Sequence, residues 1–133
     1  MNWRRNELAH FGDQITWLDQ AEASGGFDQA MLLTSKSHYG LDPAAVTDIE
    51  RLNVDGTGEE ANAWLSRRVG AGTLLVVFDR HQVCRMDSTF FVMSWQDLLS
   101  PSRDDAVILL EGRGFVLFYC HEDEFEIGKQ LEA

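Results

Sequence analysis

The first half of the chain, residues 1–70, carries apolar residues three or four positions apart, which is typical of helices with one buried face. Four helices are predicted, around the groups Phe11/Ile15/Leu18, Phe27/Ala30/Met31, Val46/Ile49/Leu52 and Ala61/Trp64/Leu65. Asp13 is expected to cap the first helix and Gly25-Gly26 to end it. Asp42-Pro43 is expected to begin the third helix, as an N-cap followed by proline at the first helical position.

The fourth predicted helix has the clearest boundaries. Thr57 and Glu60 have the spacing of a capping box, in which two side chains satisfy two free backbone amides. Arg67-Arg68 fall in the last turn, where cations suit the helix dipole, and Gly70 follows as a stop. Trp64 lies on the inner face and is expected in the core.

Residues 73–133 have the composition of strands, rich in β-branched and aromatic residues. Five strands are predicted at Thr73–Asp79, Gln82–Met86, Thr89–Trp95, Ala106–Glu111 and Phe115–His121. A short helix is predicted at Trp95–Leu99. Gly112-Arg113-Gly114 predicts a hairpin between the last two strands. In the acidic tail, Phe125 and Ile127 alternate as in a short edge strand.

Helices followed by strands predict a single α+β domain over residues 1–133, mainly helical in 1–70 and mainly antiparallel strands in 73–133. The N-terminal helices are expected to pack on a C-terminal antiparallel sheet of about five strands. Leu74–Phe78 and Phe115–Cys120 are apolar almost throughout, which predicts cover on both faces. The helical half is expected to cover one face of the sheet. The other face is expected to be covered by a second protomer, by the Trp95–Leu99 segment or by a partner protein.

Net charge and the length of the apolar runs exclude several classes of function. The 133 residues include 22 acidic and 11 basic side chains, a formal net charge of −11. Such a chain repels nucleic-acid phosphates and anionic membranes. No apolar region of the kind that makes a signal peptide follows Arg4-Arg5, and no apolar run approaches the roughly 20 residues that span a bilayer. A cytoplasmic protein is expected, with Cys84 and Cys120 as reduced, buried thiols.

Motifs for catalysis or metal binding are weak. His81, Cys84, Cys120 and His121 would be the ligands of a zinc site, but adjacent strand residues point to opposite faces. The same geometry separates Cys120 from His121 as a nucleophile and its base. Gly70-Ala71-Gly72 follows a predicted helix and precedes a predicted strand. A phosphate-binding loop has the opposite order, with the strand before the glycines and the helix after them. The sequence therefore predicts no catalytic residue, no metal site and no cofactor.

Acidic residues are the main candidate chemistry. A binding face for a basic protein is predicted from carboxylates in the last third of the chain. Its members are Asp97, Asp104, Asp105, Glu122, Asp123, Glu124 and Glu126. Trp17 lies off the Phe11/Ile15/Leu18 stripe, beside further acidic residues. It is either an exposed binding hot spot or part of a second buried face.

The same third of the chain resembles a class of known proteins. Ser94-Trp95-Gln96-Asp97-Leu98-Leu99, then Asp104-Asp105 and an apolar hairpin ending in His121-Glu122-Asp123-Glu124, are similar to small acidic bacterial proteins, several of which are immunity proteins that neutralise a toxin. The resemblance implies an acidic surface that mimics nucleic acid or fills the basic cleft of a toxin.

Three hypotheses follow. The first is an immunity-like protein-binding module that engages a basic partner, since the charge is strongly negative and no catalytic motif appears. The second is a small-molecule-binding domain or small enzyme, which needs a pocket between sheet and helices that brings His81 or His121 near an acid. The third is a homo-oligomer, such as a homodimer, with a structural role, assembled through the two-sided apolar strands.

Overall fold

The computed structural model describes residues 3–34, 40–54, 58–69, 71–99, 104–110, 114–120 and 122–131. Seven strands lie within these ranges: β1 (Thr16–Trp17), β2 (Val46–Asn53), β3 (Thr73–Asp79), β4 (Gln82–Asp87), β5 (Ala106–Leu110), β6 (Phe115–Cys120) and β7 (Glu124–Gln130). The α-helices there are α1 (Trp3–Glu7), α2 (Gln20–Met31), α3 (Glu59–Arg68) and α4 (Ser88–Leu98). A 3-10 helix spans Ala9–Gln14.

The strands form one antiparallel sheet in the order β1-β4-β3-β5-β6-β7-β2. The predicted α+β class is confirmed. The sheet has seven strands rather than about five, because β1 and β2 come from the half that was predicted to be helical. The tail forms β7, which pairs with both β6 and β2 and so is not an edge strand.

Helices cover both faces of the sheet. Alternate strand residues point to opposite faces, and they pack into two separate apolar clusters. Leu74 of β3 packs with α3 and α4, on what we call the α3/α4 face, whereas its neighbour Leu75 packs with α2, on the α2 face. The helices are thus not confined to one side. The chain's own helices account for the two-sided apolar strands that had suggested a homodimer.

Helix α2 covers the second half of the first predicted helix and the start of the second, and it runs through the expected stop between them. Asp19 is the N-cap of α2 and accepts a hydrogen bond from the Glu22 amide at 2.8 Å. Gly25-Gly26 lies inside the helix. A Cβ on Gly26 would lie 3.1 Å from Leu75, so the glycine lets α2 approach the sheet closely. Only the first half of the first predicted helix is replaced, by the end of the 3-10 helix and by β1.

The third predicted helix is wrong, and β2 takes its place. A β-bulge shifts the register against β7 between Thr47 and Glu50. As a result Val46 and Ile49 both pack on the α2 face, whereas Leu52 packs on the α3/α4 face. The spacing of three that suggested a helix therefore comes from a bulged strand. Asp42-Pro43 begins a single turn instead, closed by the Val46 amide on the Asp42 carbonyl.

The predicted strand Thr89–Trp95 is also wrong, because these residues belong to α4. Asp87 caps this helix by accepting a hydrogen bond from the Thr89 amide at 3.0 Å. Phe91, Trp95 and Leu98 are buried and share one helix face. The predicted short helix at Trp95–Leu99 is the last part of α4.

Helix α3 confirms the fourth predicted helix, and Trp64 is buried as expected. Gly58, in a left-handed conformation, is its N-cap. Several predicted boundary residues lie outside the described ranges: Thr57, Gly70, Glu111, Gly112-Arg113 and His121. Of the helices in the described part of the chain, none combines the length and the apolar character needed to cross a bilayer.

Candidate functional site

The antiparallel register gathers three chain segments at one end of the sheet. Val77 pairs with Val107, Ala106 pairs with Tyr119, and Cys120 pairs with Glu124. The end of β3, the residues before β5 and the β6–β7 turn therefore lie side by side. We call the carboxylates of these segments that reach the surface the acidic end: Asp79, Asp105, Glu122, Asp123 and Glu124.

Four of the predicted site residues belong to the acidic end, and the charges of three of them raise the pKa of the Cys120 thiol. Burial is the main reason that the pKa of Cys120 is raised, and the charges of Asp105, Glu122 and Glu124 add to the effect. These carboxylates from two chain segments are therefore close in space. Asp79, at the end of β3, was not predicted, because only the pairing of β3 with β5 brings it here.

Asp123 has a structural role in addition to its charge. Its backbone is left-handed, with φ of 63°, and its amide donates to the Cys120 carbonyl at 2.9 Å in the tight turn. The Tyr119 hydroxyl donates to its carboxylate at 2.7 Å. Burial first, and then this hydrogen bond, raise the pKa of Tyr119. Asp123 thus fixes the shape of the β6–β7 turn that presents Glu122 and Glu124.

Asp104 was predicted on the binding face, and this placement is wrong. Only 2% of the residue is exposed. Its carboxylate lies 3.1 Å from Nη1 of Arg4, whose Nε donates to Gln82 at 2.7 Å. Asp104 points to the α3/α4 face while Asp105, the next residue, points to the α2 face. Asp104 therefore anchors α1 to the sheet and is not available to a partner.

Glu126 is buried as well, which corrects a second predicted member of the binding face. It forms an ion pair with Arg51 on the neighbouring strand β2, and this contact raises the pKa of the arginine. It also accepts a hydrogen bond from the Leu41 amide at 2.8 Å. Glu126 therefore ties the chain before β2 to β7.

The remaining predicted residues lie elsewhere. Asp97 is exposed on the last turn of α4. Trp17 is half-buried in β1, with the Arg5 guanidinium 5.1 Å from its ring centroid and the Phe78 ring 6.4 Å away. Of the two alternatives for Trp17, the contacts favour a packed position over an exposed hot spot.

An apolar cleft of about 220 Å³ adjoins the acidic end, between α2 and the sheet. Its apolar lining comes from Phe27, Met31, Val77, Val107 and Phe118, and its polar lining includes Asp105. This combination suits a long cationic side chain, because the aliphatic stem packs on apolar surface while the charged head meets the carboxylate. The α2 residues of this cleft were not predicted as site residues, because they read as core positions of a helix.

The described histidine and cysteine candidates, His81, Cys84 and Cys120, do not form a site, and His121 lies outside the described residues. Cys84 lies on the α3/α4 face and Cys120 on the α2 face, and both are buried thiols outside any disulfide. Burial raises the pKa of Cys84 to about 12. His81 is exposed in the β3–β4 turn beside Gln20. Among the residues that the structure describes, no three His, Cys, Asp or Glu side chains could hold a metal ion.

The chain was also compared with known proteins. No family model, no curated protein and no solved structure matches it. The resemblance to immunity-type proteins therefore stays a prediction that rests on the residues quoted for it.

Proposed function

We propose that the chain is a protein-binding module that holds a basic segment of a partner protein at the acidic end and in the adjoining cleft. The observation that carries the proposal is that three chain segments place five acidic residues at one end of the sheet, next to an apolar cleft that Asp105 lines. Asp79, Asp105 and Glu122 are exposed, while Asp123 and Glu124 are half-buried.

Electrostatics support a cationic partner. Like charges held close together repel one another, and a partner that brings Lys or Arg side chains relieves this repulsion. The net charge of −11 adds a long-range attraction that speeds encounter with a basic protein. Binding of this kind weakens as salt screens the charges.

The cleft adds apolar and aromatic contacts to the electrostatic attraction. Met31 is 39% exposed at its edge, and Phe27 is half-buried in its wall. An internal contact supports the chemistry, since the guanidinium of Arg80 lies 4.6 Å from the Phe27 ring centroid and pairs with Asp28. A partner arginine would make the same kind of contact from the other side of the cleft.

Two finer parts of the proposal, the immunity-like role and the cytoplasmic location, rest on the sequence alone. An immunity-like role implies that the partner is a basic toxin, and a cytoplasmic location would place the module where such a toxin acts. The alternative of a ligand pocket between sheet and helices has the cleft it needs. However, no described histidine lines the cleft beside the acidic end. Protein binding is therefore the function we favour.

The test uses two double variants with the same change in net charge. Asp105→Lys/Glu122→Lys reverses two charges of the acidic end, and Asp13→Lys/Glu60→Lys reverses two exposed carboxylates elsewhere. Each is titrated with a synthetic peptide of alternating arginine and leucine at low and high salt. We expect the first variant to bind at least about tenfold more weakly than the control, and high salt to remove the difference.

A pull-down from native lysate extends the test to the natural partner. We expect a basic protein to be retained by the unaltered chain and by Asp13→Lys/Glu60→Lys, and to be lost with Asp105→Lys/Glu122→Lys. Equal losses in the two variants would show that only net charge matters, and would reject the acidic end as the binding site.

A further inference from the structure

A second cleft, of about 280 Å³, lies at the opposite end of the sheet. It is bordered by the start of β6, the end of β7, the bulged part of β2 and the last turn of α3. Three cations line it, namely Arg67, Arg68 and Lys129. Two carboxylates, Asp48 and Glu50, line it as well, so the described lining carries a small net positive charge in a protein whose net charge is −11.

Two of the three cations have no ion-pair partner among the described residues. Arg68 donates to Glu50 at 2.9 and 3.2 Å and lowers the pKa of that carboxyl, so the two charges largely cancel. Arg67 and Lys129 are exposed and form no ion pair with any residue in the described ranges. They are the charges that the cleft offers to a ligand.

The floor of the cleft is apolar. Phe115 is half-buried and Ile127 is buried, and both line the cleft beside Gly128. The ammonium of Lys129 lies 5.6 Å from the centroid of the Phe115 ring. An anionic group held by Lys129 would therefore sit close enough to the ring for an attached apolar group to pack on it.

The backbone builds this cleft. A Cβ on Gly128 would lie 2.5 Å from Cγ1 of Val46 and 2.8 Å from the Thr47 carbonyl oxygen, so only glycine allows β2 to approach here. The bulge in β2 places Asp48 in a left-handed conformation, with φ of 55°, where its carboxylate lines the cleft. Asp48 opposes an anion and so limits its affinity.

We infer that this cleft binds a small organic anion, in which a phosphate or carboxylate is joined to an aromatic or aliphatic group. Arg67 and Lys129 hold the anionic group, and Phe115 packs against the apolar group. The inference is independent of the proposed function, because the two sites share no residue and lie at opposite ends of the sheet.

The probe for this site is phenyl phosphate, followed by amide chemical shifts in ¹⁵N-labelled protein. We expect shifts centred on Phe115, Gly128 and Lys129, with a dissociation constant of about 1 mM for so small a ligand. Benzoate tests the carboxylate form, and the tighter of the two identifies the preferred anion. Inorganic phosphate and benzyl alcohol each lack one half of the ligand, and we expect both to bind at least about fivefold more weakly.

Variants locate the site and separate it from the acidic end. Arg67→Gln/Lys129→Gln should weaken phenyl phosphate binding about tenfold. Asp48→Asn should strengthen it about threefold, because asparagine keeps the left-handed backbone and removes the opposing charge. Arg80→Gln removes a cation at the other end of the sheet and should change nothing.

Three results would overturn the inference. The first is an absence of shifts in the cleft at about ten times the expected dissociation constant. The second is equal binding by Arg67→Gln/Lys129→Gln and Arg80→Gln. The third is inorganic phosphate binding as tightly as phenyl phosphate, which would leave Phe115 without a role. None of these results bears on peptide binding at the acidic end.

Discussion

Arg4 and Asp104, 100 positions apart in the sequence, form a buried ion pair whose closest N–O distance is 3.1 Å. The arginine is further held by Gln82 and by the ring of Phe78, whose centroid lies 4.0 Å from the guanidinium carbon. This cluster fixes the five-residue helix α1 against the sheet. Short helices have little stability of their own, so α1 depends on these contacts.

The buried ion pair gives the first prediction. Asp104→Asn leaves the charge of Arg4 buried without its partner, and we expect the free energy of unfolding to fall by about 3 kcal/mol. Asp28→Asn, which breaks the exposed pair with Arg80, should cost less than about 1 kcal/mol. Urea unfolding at neutral pH measures both variants. Equal losses would show that Arg4 finds another partner when Asp104 is neutral.

Two glycines give a matched pair of predictions with opposite signs. Gly25 lies inside α2 with no atom within 4 Å of an added Cβ, so Gly25→Ala should stabilise the protein by about 0.7 kcal/mol. Gly128→Ala places its Cβ against the backbone of Thr47 and should cost about 2 kcal/mol. Thermal and urea unfolding test the pair. A neutral Gly128→Ala would mean that β2 moves away without cost.

Burial of Cys84 predicts a loss of stability at alkaline pH. The pKa of its thiol is about 12 in the folded protein, against an ordinary value of 9.0. Between these values the unfolded chain has released a proton that the folded chain keeps. The free energy of unfolding should therefore fall by about 1.4 kcal/mol per pH unit. This stability is present below about pH 9 and is lost as the pH rises towards 12.

The measurement is urea unfolding under reducing conditions between about pH 8 and pH 11. Cys84→Ala should show a shallower decline than the unaltered chain. Tyr119→Phe serves as a control, because the pKa of Tyr119 is also raised and its loss removes a separate part of the decline at higher pH. If Cys84→Ala declines as steeply as the unaltered chain, the thiol is hydrated in the folded protein.

Local sequence was enough to predict the central strands and α3. Strands β3, β4, β5 and β6 were predicted within one residue of their observed ends, since their β-branched and aromatic composition agrees with their burial on both faces. The helix α4 was missed because Phe90, Phe91 and Val92 favour strands. The cap at Asp87 and the spacing of Phe91 and Trp95 by four residues are the features that would have indicated a helix.

The acidic end could be predicted only in part, for a different reason. Asp105 and Glu122 are polar next to apolar strands and were correctly assigned to the surface. Asp104 and Glu126 look the same in the sequence but are buried, because their partners Arg4 and Arg51 come from distant segments. The sequence alone does not distinguish a buried, ion-paired carboxylate from an exposed one. The distinction needs the tertiary structure that brings the arginine close to it.

The strand order has a consequence for synthesis on the ribosome. Both outer strands, β1 and β2, precede the strands they pair with, and β2 has to wait for β7, the last of the seven along the chain. The hairpins of β3 with β4 and of β5 with β6 can form as soon as they emerge, whereas the β2–β7 contact closes a long loop and comes late. Until β7 has emerged, β2 therefore exposes an unpaired backbone. Its bulge and its charged residues Asp48, Glu50 and Arg51 protect the nascent chain from pairing with another copy.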